Sequence, residues 1–135
     1  MSLRPPVVLI VADDAELMAM YVFGLLAIGF QPVTASTVDE ALIRAKHVRP
    51  DVVVADMMRS VSSAVDLTRR LRANSLTMDA AILILTDQPA STQQSAFGAG
   101  CDRLVLKPCY PDALALAIQE ALTDRRKHPL PPPSG

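Results

Sequence analysis

Four stretches of the chain are apolar without alternation: Val7-Val8-Leu9-Ile10-Val11, Val52-Val53-Val54-Ala55, Ala81-Ile82-Leu83-Ile84-Leu85 and, more briefly, Leu104-Val105-Leu106. Continuous β-branched and aliphatic runs of this kind suit strands covered on both faces, as in a parallel sheet between two layers of helices. Pro32-Val33-Thr34-Ala35 is a shorter fifth candidate. Between the runs the spacing changes to that of helices. Ala15–Ile28 is rich in Leu, Met and Ala and meets Gly29 where a helix would stop. Thr37, with Glu40 three residues on, reads as a capping box that opens a helix over Val38–Val48. There Val38, Ala41, Leu42 and Ala45 share one face. A third helix is expected over 65–73, with Leu67 and Leu71 inward and Arg69, Arg70 and Arg72 in solvent. Residues 91–99 read as a weaker fourth, closed by Gly98 and Gly100. Residues 112–126 read as a strong fifth, with Leu114, Ile118, Ala121 and Leu122 as its apolar stripe.

Strand and helix thus alternate five times, which argues for an α/β fold: a doubly wound five-stranded parallel sheet with five helices and right-handed crossovers. The 135 residues suit one domain. Its expected limits are 6–127, after a short extension over 1–5 and before a Pro-rich tail or linker start over 128–135 that cannot continue a helix. Half the residues are hydrophobic, enough for a core without disulfides or a structural metal. Cys101 and Cys109 have neither the number nor the spacing of a zinc site, and read as reduced thiols. A net charge of −1 supplies no basic field for nucleic acid. No apolar run reaches the roughly 18 residues of a membrane helix, and the first run is too short for a secretory signal. The cell interior is the expected location.

In a doubly wound sheet, ligands bind beyond the carboxyl ends of the strands. Here Asp13 and Asp14 follow the first run, Asp56 the second, Thr86 the third and Lys107 the last. Separate strands therefore deliver five chemically capable groups to one rim. Three crowded carboxylates repel one another unless a cation joins them, and hard oxygen ligands suit Mg2+ or Mn2+. A carboxylate can attack a phosphoryl group to form an acyl phosphate, while a metal and a Lys ammonium neutralise the equatorial oxygens and a Thr hydroxyl donates to another. The five glycines never fall in the order of a phosphate-binding loop. His47 and His128 have no acidic or Cys partner at ligand spacing and are expected in solvent.

Asp13-Asp14 after a hydrophobic strand, Asp56 after Val52-Val53-Val54-Ala55, Thr86 after Ile82-Leu83-Ile84-Leu85 and Lys107-Pro108 after Leu104-Val105-Leu106 together resemble the receiver domain of bacterial two-component response regulators. The resemblance covers about residues 6–125, with 30 residues from Asp56 to Thr86 and 21 from Thr86 to Lys107. It implies a flavodoxin-like sheet of order 2-1-3-4-5. It implies that Asp56 is the phosphoacceptor, charged from a phosphohistidine on a sensor histidine kinase or phosphotransfer protein. Asp13, Asp14, Asp56 and the backbone carbonyl of Met58 would hold Mg2+ or Mn2+. Thr86 and Lys107 would stabilise the phosphoryl group, and the Lys107-Pro108 peptide would be cis. The domain would be a phosphorelay switch rather than a turnover enzyme. The face built by the fourth helix, fifth strand and fifth helix, Arg103 included, would carry a partner or a homodimer, with no direct nucleic-acid or membrane binding.

Several positions depart from the family pattern. Met57 and Met58 follow the acceptor in place of a Pro and a Gly-containing loop. Leu104 stands where the family has a switch aromatic, and an aliphatic chain has no polar tip to exchange between buried and exposed positions. Asp87 follows Thr86 at a place that is commonly small, and Cys109 replaces a common aromatic. These departures favour, as the alternative, a receiver-like interaction module that signals without phosphorylation. A small Mg2+-dependent phosphotransfer enzyme or phosphatase is a third reading, weakened by Met57-Met58 where a second general acid would be needed. Fewer than ten residues follow the fifth helix, so output is expected through a protein contact or through a longer regulator divided at the Pro-rich segment.

Overall fold

The continuous apolar runs become parallel strands: β1 (Val7–Ala12), β2 (Gln31–Ala35), β3 (Val52–Asp56), β4 (Ala81–Thr86) and β5 (Arg103–Leu106). The computed structural model describes residues 4–56 and 61–127, the side chains of Val61, Arg126 and Lys127 excepted. Met57, Met58, His128 and the expected tail lie outside the described residues. The helices are α1 (Ala15–Ile28), α2 (Val38–Val48), α3 (Val61–Arg72), α4 (Pro89–Ala99) and α5 (Pro111–Lys127). The sheet order is β2-β1-β3-β4-β5, as the resemblance implied.

The lack of alternation has its cause in two cores. On one face Leu9, Val11, Val53, Ala55, Ile82 and Ile84 pack with side chains of α2, α3 and α4. On the other, Val8, Ile10, Val52, Val54, Leu83 and Leu85 pack with Tyr21 and Leu25 of α1 and Leu114 and Ile118 of α5. Every residue of β3 and β4 is buried. A fully buried Val, Leu or Ile contributes about 1.5–3 kcal/mol relative to exposure, so both faces select apolar residues.

Local signals set most helix ends. The Asp14 carboxylate accepts from Leu17 N at 2.9 Å and so caps α1, which closes on Gly29 at φ 115°. Thr37 Oγ1 accepts from Glu40 N at 3.1 Å at the start of α2. α1 is apolar on its outer face too: Phe23 is 74% exposed, with Leu26 and Ile28 also exposed. Among the described residues no helix is long and apolar enough to cross a membrane. Cys101 and Cys109 are free and buried, and His47 is exposed.

Three expectations need correction. α3 starts at Val61 rather than 65, because Val and Ser are weak helix formers and gave no periodic signal there. α4 starts at Pro89, whose fixed φ suits the first turn, and runs through Gly98; only Gly100, at φ 110°, closes it. Arg72 is not in solvent. Its Nε donates to Gly100 O at 3.0 Å, its Nη1 to Met78 O at 2.7 Å and to Ala80 O, and its Nη2 to Asp102 Oδ2 at 2.7 Å. Asp102 Oδ2 also accepts from Ile82 N at 2.7 Å. Arg125 Nη2 reaches the same oxygen at 3.2 Å, and its Nε lies 2.9 Å from Oδ1 as an ion pair, off line for a hydrogen bond. The physical reason is that carbonyls at helix and loop ends lack partners, and a guanidinium with five donors satisfies several at once. Burial, and after it the neighbouring Arg125, lowers the Arg72 pKa.

Candidate functional site

Asp56 ends β3 with Ala12 of β1 as its register partner, so the following Asp13-Asp14 lies beside it. Thr86 ends β4 opposite Leu106 of β5, and Lys107 comes next. Two buried polar groups therefore close two central strands: Asp56 is 1% exposed and Thr86 2%. Lys107 N donates to Thr86 O at 2.9 Å, extending the β4–β5 ladder by one residue. Its ammonium then turns back to Asp56 Oδ1 at 2.8 Å. The Lys107-Pro108 peptide is cis.

The electrostatics are those of an unfinished site. Burial raises the Asp56 pKa above the usual carboxylate range; the Lys107 hydrogen bond and charge oppose this, and the charges of Asp13 and Asp14 add to it. Its second oxygen, Oδ2, is buried with no hydrogen-bond partner among the described residues. A buried acceptor left this way is uncommon and calls for a reason. Thr86 Oγ1 accepts from Gln88 N at 3.0 Å, which uses a lone pair of the hydroxyl and not its proton.

No three His, Cys, Asp or Glu side chains converge closely enough to enclose a metal among the described residues. Mg2+ keeps several of its waters, so carboxylates can hold it directly or through water without closing such a cage. Asp56 Oδ2, without a partner among the described residues and under the charges of Asp13 and Asp14, fits such an ion. Asp14 would bring what its N-cap role leaves over, since Oδ1 already serves Leu17 N.

The structure thus joins Asp56 and Lys107 directly, ties Thr86 to them through the Lys107 backbone, and brings Asp13 and Asp14 within electrostatic reach. Leu104 pairs with Ile84 and packs, partly buried, against the core on the α2–α4 side. Asp87 is exposed in the turn beyond Thr86. Arg103 pairs within the chain, with Glu120 at 3.4 Å and with Asp124. One neighbour escaped the sequence: Tyr21 of α1, 1% exposed, donates its hydroxyl to Cys109 O at 3.1 Å. Burial, and after it the charge of Asp56, raises its pKa. The available signal was a tyrosine in an otherwise apolar helix, whose hydroxyl needs a partner once buried.

A model described as the response regulator receiver domain matches residues 8–119. The phosphate regulon transcriptional regulatory protein PhoB of Escherichia coli K12 is 29% identical over 124 residues, which is 91% of this chain and 53% of that protein. The chain therefore spans about half the length of the curated relatives it matches. The chemotaxis response regulator CheY4 of Vibrio cholerae superimposes with a TM-score of 0.80 at 26% identity, covering 87% of this chain and 98% of that one. The receiver domain of the sensor histidine kinase PA1611 from Pseudomonas aeruginosa PAO1, solved with a magnesium ion in its active-site cleft, superimposes with a TM-score of 0.78 at 20% identity. That pair covers 88% of this chain and 98% of the other, and at that identity it speaks for the fold alone. Because the strand order, the strand-end residues and a match over most of its length agree, this chain belongs to the response regulator receiver domain family.

Proposed function

We propose that this receiver domain is a phosphorylation-dependent signalling switch, in which Asp56 accepts a phosphoryl group from a histidine kinase or phosphotransfer protein in a Mg2+-dependent reaction. The observation that carries this reading is the state of Asp56: one oxygen lies on Lys107 Nζ at 2.8 Å and the other is buried without a hydrogen-bond partner among the described residues. A carboxylate so placed has a lone pair free for phosphorus. As a bond forms between an Asp56 carboxylate oxygen and phosphorus, the bond from phosphorus to the donor imidazole breaks, and its electron pair stays on the nitrogen. Lys107, already at the carboxylate, follows the developing charge onto a phosphoryl oxygen. Thr86 keeps its acceptor role toward Gln88 N and donates its hydroxyl proton to another phosphoryl oxygen. A bound Mg2+ would supply further charge neutralisation, held by Asp13, Asp14, Asp56 and the Met58 carbonyl. The protein is consumed and restored in each cycle, so the transfer is self-directed and the product is a changed surface.

Leu104 supports a second reading, in which the domain signals by contact without phosphorylation. It packs into the core and has no polar tip to report on Thr86. In either reading the face of α4, β5 and α5 would carry the partner or a second copy; Phe97, Leu106 and Leu116 are exposed there. The deciding experiment is incubation with Mg2+ and acetyl phosphate, followed by intact-mass measurement. A phosphoryl adduct on the wild type and none on Asp56→Asn is expected. A wild type that takes up nothing defeats the first reading and leaves the second.

A further inference from the structure

The segment that carries Lys107 is held from three sides. At its start, Lys107 N donates to Thr86 O at 2.9 Å. In its middle, two residues on, the Cys109 carbonyl accepts the Tyr21 hydroxyl at 3.1 Å. At its end Pro111, the first residue of α5, lies against Gly24 of α1, where an added methyl group would overlap the Pro111 ring. Two of these three holds come from one turn of α1, since positions 21 and 24 share a face. α1 otherwise docks on the sheet through apolar contacts that need no hydroxyl, Leu25 among them. The phenol oxygen therefore does something that packing alone does not ask for.

On the reading that Asp56 is the phosphoacceptor, we infer that Tyr21 and Gly24 are positioning residues for Lys107, fixing through the Cys109 carbonyl and the Pro111 ring where its ammonium meets Asp56. The lysine side chain is long and freely rotating, and its ammonium is a point charge without the fixed fork of an arginine. Its tip stays on one carboxylate oxygen only if the backbone beneath it is held. The ladder bond at Thr86 holds one end of that backbone and leaves rotation about it. The α1 contacts remove that freedom. Without the phenol, the Cys109 carbonyl is left buried beside a ring with no donor, and the segment shifts to find one. With a methyl at position 24, Pro111 and the first turn of α5 are pushed from α1, and Lys107 moves with them.

The test reads Lys107 itself, in metal-free protein. A lysine ammonium in an ion pair exchanges its protons slowly enough to give a resolved 1H–15N signal, assigned by its loss in Lys107→Met. Wild type, Tyr21→Phe, Gly24→Ala and the control Phe23→Ala are compared, Phe23 being 74% exposed on the same helix. Phosphorylation by acetyl phosphate with Mg2+ is timed on the same samples, and circular dichroism verifies the fold. The wild type and Phe23→Ala are expected to show the signal and equal rates. Tyr21→Phe is expected to lose the signal while folded, and to accept the phosphoryl group about tenfold more slowly, the rate equivalent of one neutral hydrogen bond. A folded Tyr21→Phe that keeps both signal and rate overturns the inference, as does a wild type with no resolved ammonium. Should Gly24→Ala not fold, Tyr21→Phe decides alone. Failure of the wild type to accept phosphoryl defeats the phosphoacceptor reading only, because the ammonium signal needs neither donor nor metal.

Discussion

At the amino edge of the sheet Arg72 commits its guanidinium to Asp102 and three backbone carbonyls, whereas at the carboxyl edge Lys107 meets Asp56 and leaves a buried oxygen with no partner among the described residues. Both pairs join a cation from beyond a helix or strand to an acid, and both are well buried on one side at least: Arg72 is 11% exposed at its side chain, Asp56 1%. The difference lies in completion. Asp102 is further met by Ile82 N and Arg125, so the network there is nearly closed and stiff. Asp56 is met by two further acids, whose charges raise the free energy of its ionised form. The same sheet thus carries a nearly closed polar network where strands begin and an open one where they end, and among the described residues it is the second that holds a buried carboxylate oxygen without a partner.

That contrast can be broken by experiment. The largest effect belongs to Arg72→Met, which leaves Asp102 and three carbonyls without their main donor. A loss of about 3–5 kcal/mol in urea denaturation is expected. A loss below about 1 kcal/mol would show the network to be ornamental, since that is the range of exposed pairs. Asp56→Asn moves the other way. Burial lifts the folded-state pKa of Asp56 above its unfolded value of about 3.9, so the folded protein holds this proton more tightly and wild-type stability falls as pH rises through that raised pKa. The neutral Asn escapes the penalty, and Lys107, partly exposed, can turn to water. The variant should be more stable than the wild type at neutral pH, with the gain vanishing in acid below the unfolded value. Paired urea titrations at pH near 7 and near 3 check this, and an Asn variant less stable at neutral pH contradicts it. The smallest effect is expected from Arg44→Ala, which breaks the exposed Arg44–Glu40 pair at 3.3 Å on α2. A change within about 0.5 kcal/mol shows that burial, not pairing alone, gives the two edges their weight.

The carboxyl edge was legible in the sequence and the amino edge was not. Strands buried on both faces write themselves as unbroken Val, Ile and Leu, so the first polar residue after each run marks an end of the sheet. Asp13, Asp56, Thr86 and Lys107 were found that way. Arg72 sits at the end of a helix with Arg69 and Arg70, where a positive charge ordinarily faces water. Its partners are carbonyls, which no side-chain pattern announces, and Asp102, 30 residues on. Tyr21 hid for a similar reason, its acceptor being a backbone oxygen 88 residues away. Gly98 misled because a glycine inside a helix and one that ends it look alike until the backbone of Gly100 is seen at positive φ.

The pairing of Ala12 with Asp56 has a consequence for how the sheet assembles. Side chains on a strand alternate between faces, so a slip of one residue between β1 and β3 would send Asp56 to the opposite side and put Ala55 in its place. Both faces of β3 are apolar-lined and would tolerate much of that exchange, leaving little in the core to penalise it. The charge would not be tolerated: it would face the layer of α2, α3 and α4, out of reach of Lys107. Asp56 would therefore guard strand alignment as well, disfavouring a misaligned sheet that hydrophobic packing alone would pass.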